Sequence, residues 1–357
     1  MSLFQALASL PVEIDGYELH GLMTAVSSGF ERHTTVISMR GGGVVGVGED
    51  VVYSAEDQLA LQRAGPVAPL TGRWALGELC EHIDALDLFP AEPQHGEVSR
   101  LYRRWAFQSA ALDLALRQAG RSLHDAIGRQ PRPVRFVVSL RLGEPPTLEP
   151  IERLIDLYPD LRFKLDATSS WTDELVSRLA QLGVVEAIDF KAHYSGTVVD
   201  QPPDAALYAR VAAAFPHAWL EDPDVTHPAT AAVLATEQHR ITWDAPIHSV
   251  EDVKALAFQP RMVNVKPSRL GGLRPLLELY EYCEARGIAT YGGGQFELGP
   301  GRGQAQYLAS LYHPGAPNDL APAGFNLSAP PPGLPSSPLP VSADRIGFRW
   351  GELQEPD

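Results

Sequence analysis

Lysines and carboxylates recur at the ends of short apolar runs in the middle of this chain. The runs close as Phe163-Lys164-Leu165-Asp166, Ile188-Asp189-Phe190-Lys191, Leu220-Glu221-Asp222, Trp243-Asp244 and Val265-Lys266. A charge beside apolar strand residues is expensive to bury alone. Mutual compensation around a bound divalent cation resolves that cost. Asp189, Glu221 and Asp244 supply hard carboxylate oxygens, the donor type Mg²⁺ prefers while it keeps positions open for water or substrate. The lysines then flank the ion. One acid at one strand end reads as a helix cap or turn residue. Five successive runs ending this way are hard to explain so.

The elements that must position these groups alternate. Strand Arg135–Leu140 precedes helix Leu148–Leu157, and Leu161–Asp166 precedes Thr172–Leu182. Val185–Lys191 precedes Asp204–Phe215, Ala218–Asp222 precedes Ala229–Glu237, and Arg240–Asp244 precedes Ser249–Ala257. Met262–Lys266 precedes Arg274–Arg286, Ile288–Tyr291 precedes Gly303–Tyr312, and a short strand falls near Asn318–Ala321. Such alternation predicts a parallel sheet. Eight units most simply close as a β/α barrel, whose chemistry sits at the carboxyl ends of its strands; a doubly wound open sheet is the competing topology. Alternation of side chains along a strand puts Lys164 with Asp166 on one face, and Asp189 with Lys191.

Upstream, strands are expected at Tyr17–Ala25, Thr34–Arg40 and Val44–Val52, with a turn at Gly41-Gly42-Gly43. Helices are expected near Trp74–Asp84 and over Leu101–Ala119. A Pro-bearing link, Gly128 to Pro133, separates the two patterns. The domain expectation is therefore an α+β unit over 1–130, a barrel over 131–321, and a proline-rich tail, 322–357, that returns to the first unit with a strand near Arg345–Trp350. Of 357 residues, 45% are hydrophobic and 20% charged, with a formal net charge of −15. That balance argues against a nucleic-acid partner. Two cysteines far apart, no basic-then-apolar leader and no run of about 18 apolar residues lead to a cytoplasmic protein without a membrane span as the expectation.

The residues then become specific. Val44-Val45-Gly46-Val47-Gly48-Glu49, the helix AFQSAALDLALRQAG from Ala106 to Gly120, and the runs WLEDP, TWDAP and NVKPSRLGG together resemble the enolase superfamily, in its muconate-lactonizing-enzyme and mandelate-racemase branch. The match covers nearly the whole chain. Glu221 and Asp244 lie 23 residues apart, Asp244 and Lys266 22, each one βα unit. The resemblance implies an α/β fold, a modified (β/α)₇β TIM barrel under an α+β N-terminal capping domain. It implies Mg²⁺ held by Asp189, Glu221 and Asp244, a small-molecule carboxylate substrate, and Lys266 as a base. The shared step is removal of a proton next to a carboxylate, giving an enediolate that the metal stabilises; a Lys or His base with Mg²⁺ is the general pattern described for these enzymes. A homo-oligomer is expected.

The chain departs from that family in two places. Its relatives carry Lys-x-Lys on the second strand, where this chain has Lys164-Leu165-Asp166. They carry Asp-x-Asn on the third, where this chain has Asp189-Phe190-Lys191. One positive charge has in effect moved one strand over, so Lys191 or Lys164 is expected to replace the missing base. The stretch FKLDATSSW also resembles the family's third strand, which would make Asp166 the first ligand; strand counting favours Asp189. Glu297 and Gln295 in Gly292–Glu297 are candidate substrate-binding or orienting groups, with a structural turn as the alternative. The loops Ser27–His33 and Asp50–Tyr53, carrying Phe30, Arg32 and Tyr53, resemble the specificity loops. The GGGVVG run is followed by a strand, so it fails as a dinucleotide motif. Racemisation or epimerisation leads the expected reactions, followed by β-elimination as in acid-sugar dehydratases or o-succinylbenzoate synthase, and by cycloisomerisation. A non-catalytic metal- or ligand-binding descendant is the rival, motivated by Asp166.

Overall fold

The computed structural model of the protein describes residues 2–351 apart from 28, 195, 197 and 198. The last six residues of the tail expectation, 352–357, therefore lie outside the described residues. Twelve strands appear among those described: β1 (Pro11–Ile14), β2 (Gly16–Ala25), β3 (Glu31–Gly41), β4 (Val44–Asp50), β5 (Gly72–Ala75), β6 (Val138–Arg141), β7 (Phe163–Asp166), β8 (Val185–Asp189), β9 (Trp219–Glu221), β10 (Ile241–Trp243), β11 (Met262–Val265) and β12 (Ala289–Gly292). The strands β2-β3-β4 form an antiparallel sheet, and β6 to β12 lie side by side in chain order in a seven-stranded parallel sheet. The segment at Asn318 closes the curl. Asn318 bridges Phe136 just before β6, and Asp319 bridges Gly293 just after β12, so the eighth stave is made by two isolated bridges rather than a full strand.

The capping sheet lies on helix Gly96–Gln118, and the approach is close. A Cβ on Gly48 would sit 2.1 Å from the Ala106 carbonyl, and one on Gly46 would sit 2.3 Å from the Leu114 amide. Only glycine lets this strand lie on the helix backbone. The same helix buries Leu112, Leu114 and Leu116 in the main core. It starts at Gly96, five residues before the sequence reading places it.

The tail packs against this helix. Asp113, fully buried, accepts from the Phe348 amide at 2.8 Å, the Val47 amide at 3.0 Å and the Arg349 guanidinium at 2.9 Å. The strand expected at Arg345–Trp350 does not form. Its backbone groups are spent individually instead, Gly347 on Arg121 and Leu123, and Phe348 on the Asp113 side chain.

The eighth stave is pinned by a buried polar cluster. Asn318 donates to the carbonyls of Arg135, His313 and Ala316, and its oxygen accepts from the Gly292 amide at 2.7 Å. His313 Nδ1 stands 2.6 Å from that oxygen and Nε2 stands 3.0 Å from the Tyr280 hydroxyl. A neutral ring fits both, with Nδ1–H donating and Nε2 accepting. Burial pushes His313 down to about 4, with the Asn318 contact opposing it. The unfolded chain protonates this histidine near pH 6.5 and the folded chain only near 4. Stability held above pH 6.5 is therefore lost as pH falls through that window, by roughly 2–3 kcal/mol between pH 7 and 4.5. Urea unfolding at both pH values checks it: His313→Gln should flatten the dependence by that amount, and parallel slopes would refute the assignment.

Candidate active site

In the parallel ladder Asp166 is level with Asp189, and Asp189 with Glu221. Parallel neighbours in register point to the same side of a sheet, so three carboxylates line one layer of the barrel mouth. Lys164 sits two residues below Asp166 and reaches up. Its ammonium donates to Glu221, stands 3.1 Å from Asp189 and 3.5 Å from Asp319. Lys191 lies just past β8, donates to Asp189 and stands 3.5 Å from Asp166. Lys266 follows β11 and donates to Asp244 at 2.8 Å; Arg269 donates to the same carboxylate at 2.6 Å. Gly293 makes room for Lys266, since a Cβ there would lie 2.5 Å from the lysine's Cε.

The structure places Lys164, Asp166, Asp189, Lys191 and Glu221 in one contact network, while Asp244 is paired with Lys266, Arg269 and Tyr194 and stands outside the close group of carboxylates. Phe30, Gln295 and Glu297 stand at the edge. Gln295 bridges Tyr53 at 2.9 Å and Tyr102 at 3.0 Å. Glu297 accepts from the Gln295 amide at 2.8 Å and pairs with Arg302 at 3.0 Å. Several groups were not singled out from sequence. Tyr291 donates to Glu221, Tyr194 donates to Asp244 at 3.0 Å, and Asp319 faces Lys164. Asp222 accepts from the Asp244 amide at 2.8 Å and the Ala245 amide at 2.9 Å. Asp189, Glu221 and Asp222 form the acidic group whose oxygens lie within 4.8 Å of one another.

Among the described residues three non-glycines adopt left-handed backbone, Lys191 (φ 55°) and Asp222 (φ 48°) just beyond barrel strands and Phe296 (φ 53°) in the loop after β12. Such conformations cost about 1–3 kcal/mol each and persist where surroundings over-determine them, commonly at functional sites. A signal of this kind is invisible in sequence.

The electrostatics follow from burial. Burial pulls the Lys164 ammonium down, but Glu221 and Asp189 outweigh it and hold it well above the usual lysine range. Asp166 and Asp189 likewise hold Lys191 up against burial. Lys266 differs: burial lowers it, Asp244 only partly restores it, and Arg269 lowers it further. Burial and the neighbouring acids hold Glu221 well above the carboxylate range despite Lys164. Burial, with Asp244 and Asp189 beside it, pushes Asp222 up to about 6. Burial raises Asp244 too, but Arg269 and Lys266 outweigh it and hold that carboxyl well down.

Charge and donor chemistry fit a divalent cation. Asp166, Asp189, Glu221, Asp222, Asp244 and Asp319 face Lys164, Lys191, Lys266 and Arg269. Six carboxyl groups crowd four cationic side chains in the mouth, where burial and neighbouring acids raise Glu221 and Asp222. All six offer oxygen, the donor Mg²⁺ takes.

Comparison with known proteins gives the family and the fold. The family described as Domain of unknown function (DUF8230) matches the chain twice, its N-terminal domain over residues 5–126 and its C-terminal domain over 130–327. An o-succinylbenzoate synthase of Geobacillus stearothermophilus is 25% identical over 287 residues, 78% of this chain and 74% of that protein. An N-succinylamino acid racemase of Amycolatopsis is 28% identical over 270 residues, 68% of this chain and 70% of that protein. Among solved structures, a dipeptide epimerase of Methylococcus capsulatus complexed with Mg ion superposes with a TM-score of 0.68 at 19% identity, covering 95% of this chain and 99% of that one. Muconate lactonizing enzyme of Pseudomonas putida superposes at 0.65 and 19% identity, covering 94% and 96%. The capped (β/α)₇β fold is thus the fold of the enolase superfamily. The chain belongs to the DUF8230 family, is similar in sequence to an o-succinylbenzoate synthase and an N-succinylamino acid racemase, and shares its fold with muconate lactonizing enzyme and a dipeptide epimerase.

Proposed function

We propose that the chain is a Mg²⁺-dependent enzyme that removes the α-proton of a small carboxylate substrate and returns it with racemisation or epimerisation. One observation carries the reading. Lys266 leaves β11 and Lys164 stands on β7, four staves apart in a ring of eight, with the carboxylates of Asp189, Glu221 and Asp244 between them. Asp189, Glu221 and Asp244 would hold the ion. Asp222 lies closer to Asp189 and Glu221 than Asp244 does, and both Asp222 and Asp244 already accept donors through both oxygens, so the choice of Asp244 rests on the strand-end order and the family resemblance. When bound, Mg²⁺ supplies the positive charge that offsets the second negative charge developing on the substrate carboxylate.

The chain's own residues do the rest. Lys266, lowered by burial, takes the α-proton at Nζ from one side. Lys164 or Lys191, both held charged by neighbouring acids, faces the other side and can deliver a proton. Asp166 keeps Lys191 in place where the relatives' second lysine would stand. Asp222 fixes the Asp244 backbone. Glu297, engaged by Arg302, orients the Gln295 loop beside the substrate, and Phe30 contributes to the wall above it. The enzyme is assigned to the cytoplasm, with which its two buried free thiols, Cys80 and Cys283, are compatible.

A second reading rests on Asp166. With a carboxylate in place of the second lysine, one-sided chemistry is favoured, and elimination of water needs only one base. Proton NMR of N-acyl amino acids and acid sugars in D₂O with Mg²⁺ separates the two. Racemisation gives α-deuterium with inversion, whereas elimination gives an unsaturated product without inversion. Lys164→Ala or Lys191→Ala should slow inversion by roughly 10²-fold or more. Full activity in both variants would remove the displaced-lysine assignment. No exchange with any acid would favour a binding protein.

A further inference from the structure

The upper wall of the mouth is aromatic and closed to ligand anions. Phe30 and Phe296 meet edge to face with ring centres 5.7 Å apart, and Tyr53 lies 6.4 Å from Phe30. Phe30 and Phe296 are half-buried and Tyr53 is 39% exposed, so their rings present apolar surface outward. The cation built into this wall is Arg32, and it is completely buried. It donates to the carbonyls of Val51, Val52 at 2.8 Å and Gln295 at 3.0 Å, and its guanidinium packs 4.4 Å from the Tyr53 ring. No ligand carboxylate can touch it. Glu31, next to Arg32 on β3, turns to the opposite face and pairs with His33 at 2.7 Å.

The wall is held over the barrel rather than free. The Ser27 amide donates to the Asn326 carbonyl at 2.7 Å, and Tyr53 donates to Gln295 at 2.9 Å. Phe296 is three residues beyond Gly293, which packs on Lys266. Three residues span at most about 10 Å of chain, so the rings lie within reach of the far end of a substrate whose α-carbon is at Lys266.

We infer that the substrate is a monocarboxylate whose far end is an uncharged aromatic or bulky apolar group seated on Phe30, Tyr53 and Phe296. This rests on the proton-abstraction reading for where the near end sits. It separates the chain from an enzyme built for a succinylated acid, whose second carboxylate would find the buried Arg32 reachable only through the ring edges. Aromatic rings bury large apolar area and favour edge-to-face partners.

Calorimetry on the full chain with Mg²⁺ tests it using N-(3-phenylpropanoyl)-L-alanine and N-succinyl-L-alanine, which differ only in the far group. The phenyl ligand should bind tighter by about tenfold or more. Phe30→Ala and Tyr53→Ala, both at partly exposed positions, should erase that preference, and Tyr53→Phe should keep it. A phenyl ligand that binds no tighter than the succinyl one, or fails to bind, overturns the inference. Deuterium exchange is read separately on the same ligands. Preferential binding without exchange sinks the proton-abstraction reading and leaves the aromatic seat standing.

Discussion

Lys266→Ala should lower the rate of α-proton exchange by about 10³-fold or more while leaving the fold and Mg²⁺ binding in place. General-base catalysis is worth roughly 10²–10⁴-fold, and an isolated proton transfer from carbon sits toward the upper end. Lys266 is the mouth lysine whose acids do not outweigh burial, since its carboxylate partner Asp244 is shared with Arg269. Lys164 sits among three acids and Lys191 between two, and both stay charged. Truncation at 266 leaves Asp244 still held by Arg269 at 2.6 Å and Tyr194 at 3.0 Å, so the loss should fall on turnover rather than on KM. Single-turnover exchange in D₂O, with circular dichroism as the fold control, reads it. Exchange within fivefold of wild type would move the base elsewhere.

Glu221→Gln should weaken Mg²⁺ binding by roughly 100-fold, because cation affinity in oxygen sites follows ligand charge. Glu221 is the central donor: it pairs with Asp189 in the ladder and receives both Lys164 and Tyr291. The substitution is isosteric, and glutamine can still accept from either partner, so the fold should hold. Asp189→Asn should behave alike. Calorimetric titration with Mg²⁺ measures both, and unchanged affinity in either would show that these carboxylates do not hold the ion.

The sequence carried much of this site because the chemistry sits where strands end. A lysine or acid closing an apolar run is conspicuous, and the βα alternation supplies the order around the ring. Strand limits shift by one to three residues, as at β6, which starts at Val138 rather than Arg135, and at β8, which stops at Asp189 and leaves Lys191 in a left-handed turn. The neutralising partners were not legible. Tyr291, Tyr194 and Arg269 reach the acids, and Asp319 reaches Lys164, from other staves or loops, and nothing local marks them. Helix Ala55–Ala64 was missed for a related reason. Its inward face carries Asp57 and Gln58 beside Leu61, so it has almost no apolar stripe to read, although Ser54 caps its start. Strand β5, four residues long, pairs only with β1, and neither shows periodicity enough to predict.

The capping unit is tied to the barrel by buried polar contacts that sequence could not reveal. Glu49 at the end of β4 accepts the amides of Leu298, Gly299 and Gly301 at 2.7–3.0 Å, at the start of helix Pro300–Tyr312. Asp50 beside it is paired with Arg103 at 2.7 Å, both fully buried. These contacts fix the loop that carries Val51, Val52 and Tyr53, and through Arg32 they join it to the Gln295 turn. Among the described residues no helix is long and apolar enough to cross a membrane.

Diffraction from crystals grown with Mg²⁺, and with Mn²⁺ to mark the position by anomalous scattering, tests the central claim most directly. One ion should appear at the barrel mouth, with oxygens of Asp189, Glu221 and Asp244 at about 2.1 Å for Mg²⁺ and Lys266 facing it across the opening. An ion held by other side chains, or a mouth that stays free of metal at saturating concentration, would contradict the account.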